Sequence, residues 1–318
     1  MNHSNTTSTM SLANASGKIP YNMTNDYMFR AVLQKNAKVL AGLVGALLHL
    51  DPETLDVEIA NPIILGESID DKTFVLDVEV TVNKKTHLDL EMQVINYGNW
   101  KERALSYLCR SFDNLTRGSN YIDLAPAVHI GFIDFSLFGD APEFYATYKM
   151  KNVKNHRIYT DKMWLSVVEL NSIELATEED RLHKIDQWAK LFKAKTWEEL
   201  KAMATTDQYM ESAVNTMYEL SADRMVKEQC RRRAEYELYQ KYQAEENARK
   251  DAIIAEQKAV ITNQKAELAN QKTELADKDT VIADQLAQLA ELKRQLADLK
   301  KKADPEFRHL NSMESDHS

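Results

Sequence analysis

A strict seven-residue repeat near the C-terminus narrows the possible fold more than any other feature. Ile254, Ile261, Leu268, Leu275, Ile282, Leu289 and Leu296 share one repeating position, and an apolar stripe at that period winds helices into a left-handed supercoil. The companion core position carries Gln257, Gln264, Gln271, Lys278 and Gln285 before Leu292 and Leu299 take it over. Polar residues weaken such a seam, so association is expected to be firmest toward the end of residues 252–300. The alternative is a charged helix standing alone. The rest of the chain has ample length for a core, since 318 residues can hold about two ordinary domains.

Upstream, the pattern is that of a mixed α/β domain. Phe29, Val32, Leu33, Val39, Leu40, Leu43, Val44 and Leu47 recur at helical spacing, with Thr24 or Asn25 placed to cap the segment. From Val57 to Val94 the period shortens to alternating runs rich in β-branched residues, which predicts strands. Asn99 followed by Glu102 has the form of a capping box and announces a second helix, closed by Gly118. Further strands are expected at Ala127–Phe135, Phe144–Lys151 and Met163–Leu170, and everything from Glu178 onward reads as helical. The expected organisation is a leader over 1–20, an α/β core over 21–175, a helical region over 176–250, a coiled coil over 251–302 and a tail over 303–318.

The stretch Thr73–Val94 carries the chemistry. In its first half Phe74, Leu76, Val78, Val80 and Val82 fall on one face while Asp77 and Glu79 fall on the other, because side chains alternate along a strand. In its second half Leu88, Leu90, Met92 and Val94 are apolar, opposite His87, Asp89, Glu91 and Gln93. A hairpin turning at Asn83–Lys85 must pair apolar face with apolar face, since a one-residue slip turns every side chain over. With Val82 opposite Thr86, Glu79 faces Asp89 and Asp77 faces Glu91, with Cβ atoms about 5 Å apart. Such like-charge pairs need relief, and a hard divalent cation held by carboxylate oxygens provides it; the competing reading is a solvent-facing strand pair whose acids serve solubility.

Leu76-Asp77-Val78, followed after the hairpin by Glu91-Met92-Gln93, resembles the acidic motif of the PD-(D/E)XK nuclease superfamily, and more narrowly its recombination-promoting nuclease or transposase-like branch. Asn25-Asp26-Tyr27-Met28-Phe29, Arg103-Ala104-Leu105-Ser106-Tyr107, Gly118 and Tyr121 agree with it, so the resemblance spans roughly 24–220. It implies a restriction-endonuclease-like core, a central mixed sheet flanked by helices, acting as a metal-dependent DNA endonuclease. Asp77 and Glu91 would ligate magnesium, or manganese in its place, and Gln93 stands where lysine is usual, a substitution this branch makes. Glutamine can orient a water but supplies no positive charge, which leaves an inactive nuclease-fold scaffold acting through its coiled coil as the second reading. Asp26 matches the extra first-helix acid of many relatives, or caps its own helix.

Arg103, Arg110 and Arg117, at seven-residue spacing, form either a phosphate-holding face or an ordinary solvated one. Lys149, Lys151, Lys154, His156 and Arg157 form a second basic region, and Arg231–Arg233 a third that is expected to face solvent or to steer DNA. The formal charge of −9 argues against bulk coating of nucleic acid, so DNA contact must be local. No apolar run approaches the ~20 residues of a membrane span, and two distant cysteines suggest no disulfide framework; a soluble, cytoplasmic protein is expected. Glycine-rich phosphate loops, Gly-x-Ser-x-Gly elbows and HExxH spacing do not occur.

Overall fold

The computed structural model describes residues 11–63 and 78–314, with side chains described through residue 300. Asp77, together with Phe74 and Leu76, lies outside the described residues.

The first helical pattern resolves into two helices, α1 (Asp26–Lys35) and α2 (Ala37–Leu48), bent by 109° at Asn36. Asn36 breaks the run because its side chain accepts hydrogen bonds from the backbone N–H groups of Lys38 and Val39, starting a new helix where a continuous one would need the backbone to be helical. Asn25 caps α1 by accepting from Met28 N–H at 3.2 Å. The strands are β1 (Val57–Ile59), β2 (Val78–Val82), β3 (Thr86–Gln93), β4 (Ala127–Ile133), β5 (Tyr145–Lys149) and β6 (Met163–Glu169), with α3 (Trp100–Phe112) between β3 and β4. Asn99 makes no side-chain cap on α3, and the helix ends at Phe112 rather than running to Gly118, which sits beyond it at φ +93°. α4 (Glu178–Leu182), α5 (Ile185–Lys193), α6 (Trp197–Ala204), α7 (Gln208–Ala222) and α8 (Arg224–Glu314) complete the described chain.

The six strands form one mixed sheet in the order β1-β2-β3-β4-β6-β5, with β3, β4 and β6 parallel and the remaining pairings antiparallel. The hairpin register is the expected one: Val82 pairs with Thr86 and Glu79 with Asp89, and Asn83 and Lys84 turn the chain in left-handed conformations. All seven residues of the central strand β4 are buried. One sheet face meets α1, α2 and α5, with α7 packed against α1 and α2, and there the rings of Phe29, Phe132 and Phe192 meet at 5.2–5.6 Å between centroids. The other face is covered by α3, through Trp100, Ala104 and Leu108 on Ala127, Ile133, Leu165 and Val167. Gly131 makes that second layer possible, because a Cβ there would lie 2.0 Å from a ring carbon of Trp100.

The chain divides into two compact units, Met1–Ala244 and Glu245–Ser318. The long C-terminal helix is present, and along 252–300 the apolar residues of the heptad positions are all exposed. Among the described residues no single helix is long and apolar enough to cross a membrane.

Candidate active site

The alternation of β3 sends Leu88, Leu90 and Met92 into the main core and Asp89, Glu91 and Gln93 beneath α3, so its polar face is buried and not solvated. Glu91 is only 3 % exposed. Its Oε1 meets Nη2 of Arg103 at 2.6 Å, in a pairing between the sheet and the first turn of α3. Gly131 is the neighbour of Glu91 on β4, so the position that lets Trp100 close onto the sheet also brings Arg103 down onto the acid.

Asp89, one rung away, resolves the like-charge conflict with Glu79 in a way the sequence did not suggest. Glu79 is exposed, while Asp89 is buried and its Oδ2 lies 2.7 Å from Nδ1 of the fully buried His129, its neighbour on β4. His129 Nε2 lies 3.7 Å from Glu91 Oε2, and the His129 ring runs parallel to that of Tyr107 at 6.2 Å. Tyr107 is flanked in turn by the guanidinium groups of Arg103 at 5.3 Å and Arg110 at 5.7 Å. The single signal for His129 was its place as the lone polar side chain in the run AVHIGFI.

Gln93 donates from Nε2 to the carbonyl of Ile95 at 2.9 Å, which fixes the amide so that Oε1 is left as an acceptor. Asp26 opens α1 next to its cap, Asn25, and is itself buried; its Oδ2 accepts from Arg233 Nε at 2.5 Å. Arg233 comes from α8, more than 200 residues along the chain and within the same compact unit. It splits the basic cluster: Arg231 and Arg232 are exposed and paired with Glu228 and Glu235, whereas Arg233 turns inward. Glu237, one helical turn on, approaches Arg233 Nε at 3.7 Å.

Asp26, Glu91, Gln93, Arg103, Arg233, Glu237 and Tyr97 line one pocket of about 40 Å³, room for roughly one to three waters. Burial raises the carboxyls of Asp26 and Glu91, offset in part by Arg233 and by Arg103, and pushes Glu237 up to about 8, with the charge of Asp26 adding to the effect. Among the described residues, Asp26 Oδ1, Glu91 Oε2 and Gln93 Oε1 are buried and meet no hydrogen-bond donor. Hard oxygen donors left unsatisfied around a small pocket fit a divalent cation of the magnesium class. Glu237 gave no signal in the sequence, and Arg233 was expected to face solvent or steer DNA with its neighbours, because their spacing is that of any solvated helix pair.

Arg110 is exposed on α3, and Arg117 falls beyond the end of that helix, also exposed, so the expected three-arginine face reduces to Arg103 and Arg110. Lys149 pairs with Asp161, and its basic neighbours lie exposed without lining the pocket.

Comparison with curated proteins and with solved structures gave no match. A protein-family model does match, over residues 23–252, which takes in every element from α1 through α7 and the start of α8. With that match added to a mixed sheet carrying buried acids on the second strand of its hairpin, the chain belongs to the PD-(D/E)XK nuclease family transposases.

Proposed function

We propose that this chain is a divalent-metal-dependent DNA endonuclease of the recombination-promoting type, with residues 252–300 joining two or more copies through a coiled coil. The observation that supports it most directly is the convergence of unsatisfied acceptor oxygens from Asp26, Glu91 and Gln93 on a pocket bordered by Arg103. Glu91 and Asp26, which line one pocket, together with Asp77 of the Leu76-Asp77-Val78 motif, are the residues that would hold magnesium or manganese. A cation bound there supplies Lewis acidity toward the scissile phosphate and lowers the pKa of water. Gln93, with its nitrogen tied to Ile95, offers Oε1 to the attacking water and sets that water's direction. Glutamine brings no charge, so the positive charge usual beside the scissile phosphate falls to Arg103, which stays protonated at any working pH. Arg110, exposed on α3, contacts a flanking phosphate. A reducing cytosol suits its two unpaired cysteines, Cys109 and Cys230.

A second reading, an inactive nuclease-fold scaffold, is favoured by one feature: Arg103 and Arg233 already neutralise Glu91 and Asp26. Cleavage of supercoiled plasmid with magnesium, manganese or chelator separates the two. The nuclease reading expects metal-dependent nicking or linearisation that falls about a thousandfold or more in Asp77→Ala and in Glu91→Ala. Cutting by Glu91→Ala at the parent rate would remove the site assignment. No cutting, joined with no metal-dependent rise in Tm, transfers the protein to the scaffold reading.

A further inference from the structure

The structure assigns a second cation site to His49, Glu179 and His183, sharing no residue with the carboxylate pocket and suited to a transition-metal ion of the zinc class. One ligand atom from each of the three side chains lies within 4.8 Å of the others. The two imidazole rings are stacked, with centroids 3.8 Å apart and planes 2° from parallel, and His49 Nδ1 is 3.5 Å from Glu179 Oε1.

Each member is placed by backbone structure. His49 closes α2 in the left-handed conformation at φ 56°, and Leu50 N–H locks that turn by donating to Gly45 O at 2.9 Å. Glycine is the usual occupant of such a position, so a histidine there carries a backbone cost of about 1 kcal/mol. His183 N–H donates to Glu179 O at 3.0 Å, so the helical turn of α4 continues through His183 and sets the pair at i, i+4 on one face. The two histidines and the glutamate thus meet from segments 130 residues apart.

The donor set decides the class of ion. Two imidazole nitrogens and one carboxylate oxygen select zinc, cobalt or nickel over magnesium, and three protein ligands leave a position for water. Donors at about 2.1 Å from a tetrahedral ion stand about 3.4 Å apart. The stacked rings hold their in-plane lone pairs side by side, so binding turns one imidazole out of the stack, and the exposure of His49, one-third, and of Glu179, 71 %, leaves room for both side chains to move. Burial and then the adjacent His183 lower His49 below the ordinary imidazole value, which keeps its lone pair available. A metal at this point clips the end of α2 to α4, where His49 also neighbours the Tyr145 ring at 6.4 Å.

The test is titration of cobalt(II), followed by visible absorption, and of zinc(II), followed by Tm, into the tag-free full chain carrying Glu91→Ala to weaken the carboxylate pocket. One cobalt per chain and a zinc-dependent rise in Tm are expected. His49→Gly, which keeps the left-handed turn, and His183→Gln should each weaken binding by roughly tenfold or more, since even indirect partners of a metal are worth that much. Metal affinity unchanged in the double variant, or no cobalt bound at all, would overturn the site.

Discussion

In Met1–Ala244 acids are drawn out of water, with Glu91 only 3 % exposed, whereas in Glu245–Ser318 a regular row of aliphatic side chains stands in it, with Leu299 64 % exposed. The first unit withdraws Asp26, Asp89 and Glu91 from water and surrounds them with Arg233, His129 and Arg103. The second leaves a row of isoleucines and leucines facing solvent along one helix. Each departure costs free energy within a single folded chain, and under the proposed function each would be relieved further from outside it: by a cation in one case, by another helix in the other. Function is therefore written in both units as an unsatisfied surface, polar in one and apolar in the other.

That contrast can be broken most forcefully in the helix. Leu292→Lys places a charge in the one stretch where both core positions of the heptad are leucine. Each buried leucine removed forfeits about 2 kcal/mol, and a pair of helices loses it twice, so sedimentation should show association weakened by roughly a thousandfold. The Tm of the first unit should not move. An unchanged assembly state would mean that the exposed stripe is no seam.

In the first unit the corresponding test is pH. Glu237 is raised from 4.5 to about 8, so the folded state holds a proton that the unfolded chain releases. Its contribution to stability is therefore full below about pH 4.5 and is lost as pH rises through about 8. Glu237→Gln should remove this decline and stabilise the metal-free protein at pH 9 by about 2 kcal/mol, a figure reduced for the pocket's contact with water. Denaturant titrations at pH 5 and pH 9 measure it; equal pH dependence in variant and parent would refute the assignment.

The smallest effect lies at the rim. Arg110→Ala should lower DNA affinity only a few-fold and reduce the slope of log K against log salt by about 0.9, the signature of one phosphate contact. A larger loss with an unchanged slope would move Arg110 from phosphate contact to a structural role through Tyr107.

Particular residues show what each level of organisation specifies. Period-two alternation alone placed β2 and β3, and the requirement that Val78, Val80 and Val82 share a face with Leu88 and Leu90 set the register, because a slip would expose the whole set. A cap at Thr24 or Asn25 and the heptad helix were equally local and legible, and the structure chose Asn25. Alternation also put Asp89, Glu91 and Gln93 on one face, but only tertiary structure decided that this face is buried. That depends on α3 descending onto Gly131, which no periodicity encodes. His129 beside Asp89, Arg233 beside Asp26 and Glu237 in the pocket likewise depend on elements that meet far apart in sequence. Local patterns fix backbone geometry and the direction of a side chain, because those follow from bond rotation and strand or helix repeat. What covers that side chain is set by the packing of the whole domain, and with it the burial that turns ordinary acids into a candidate cation site.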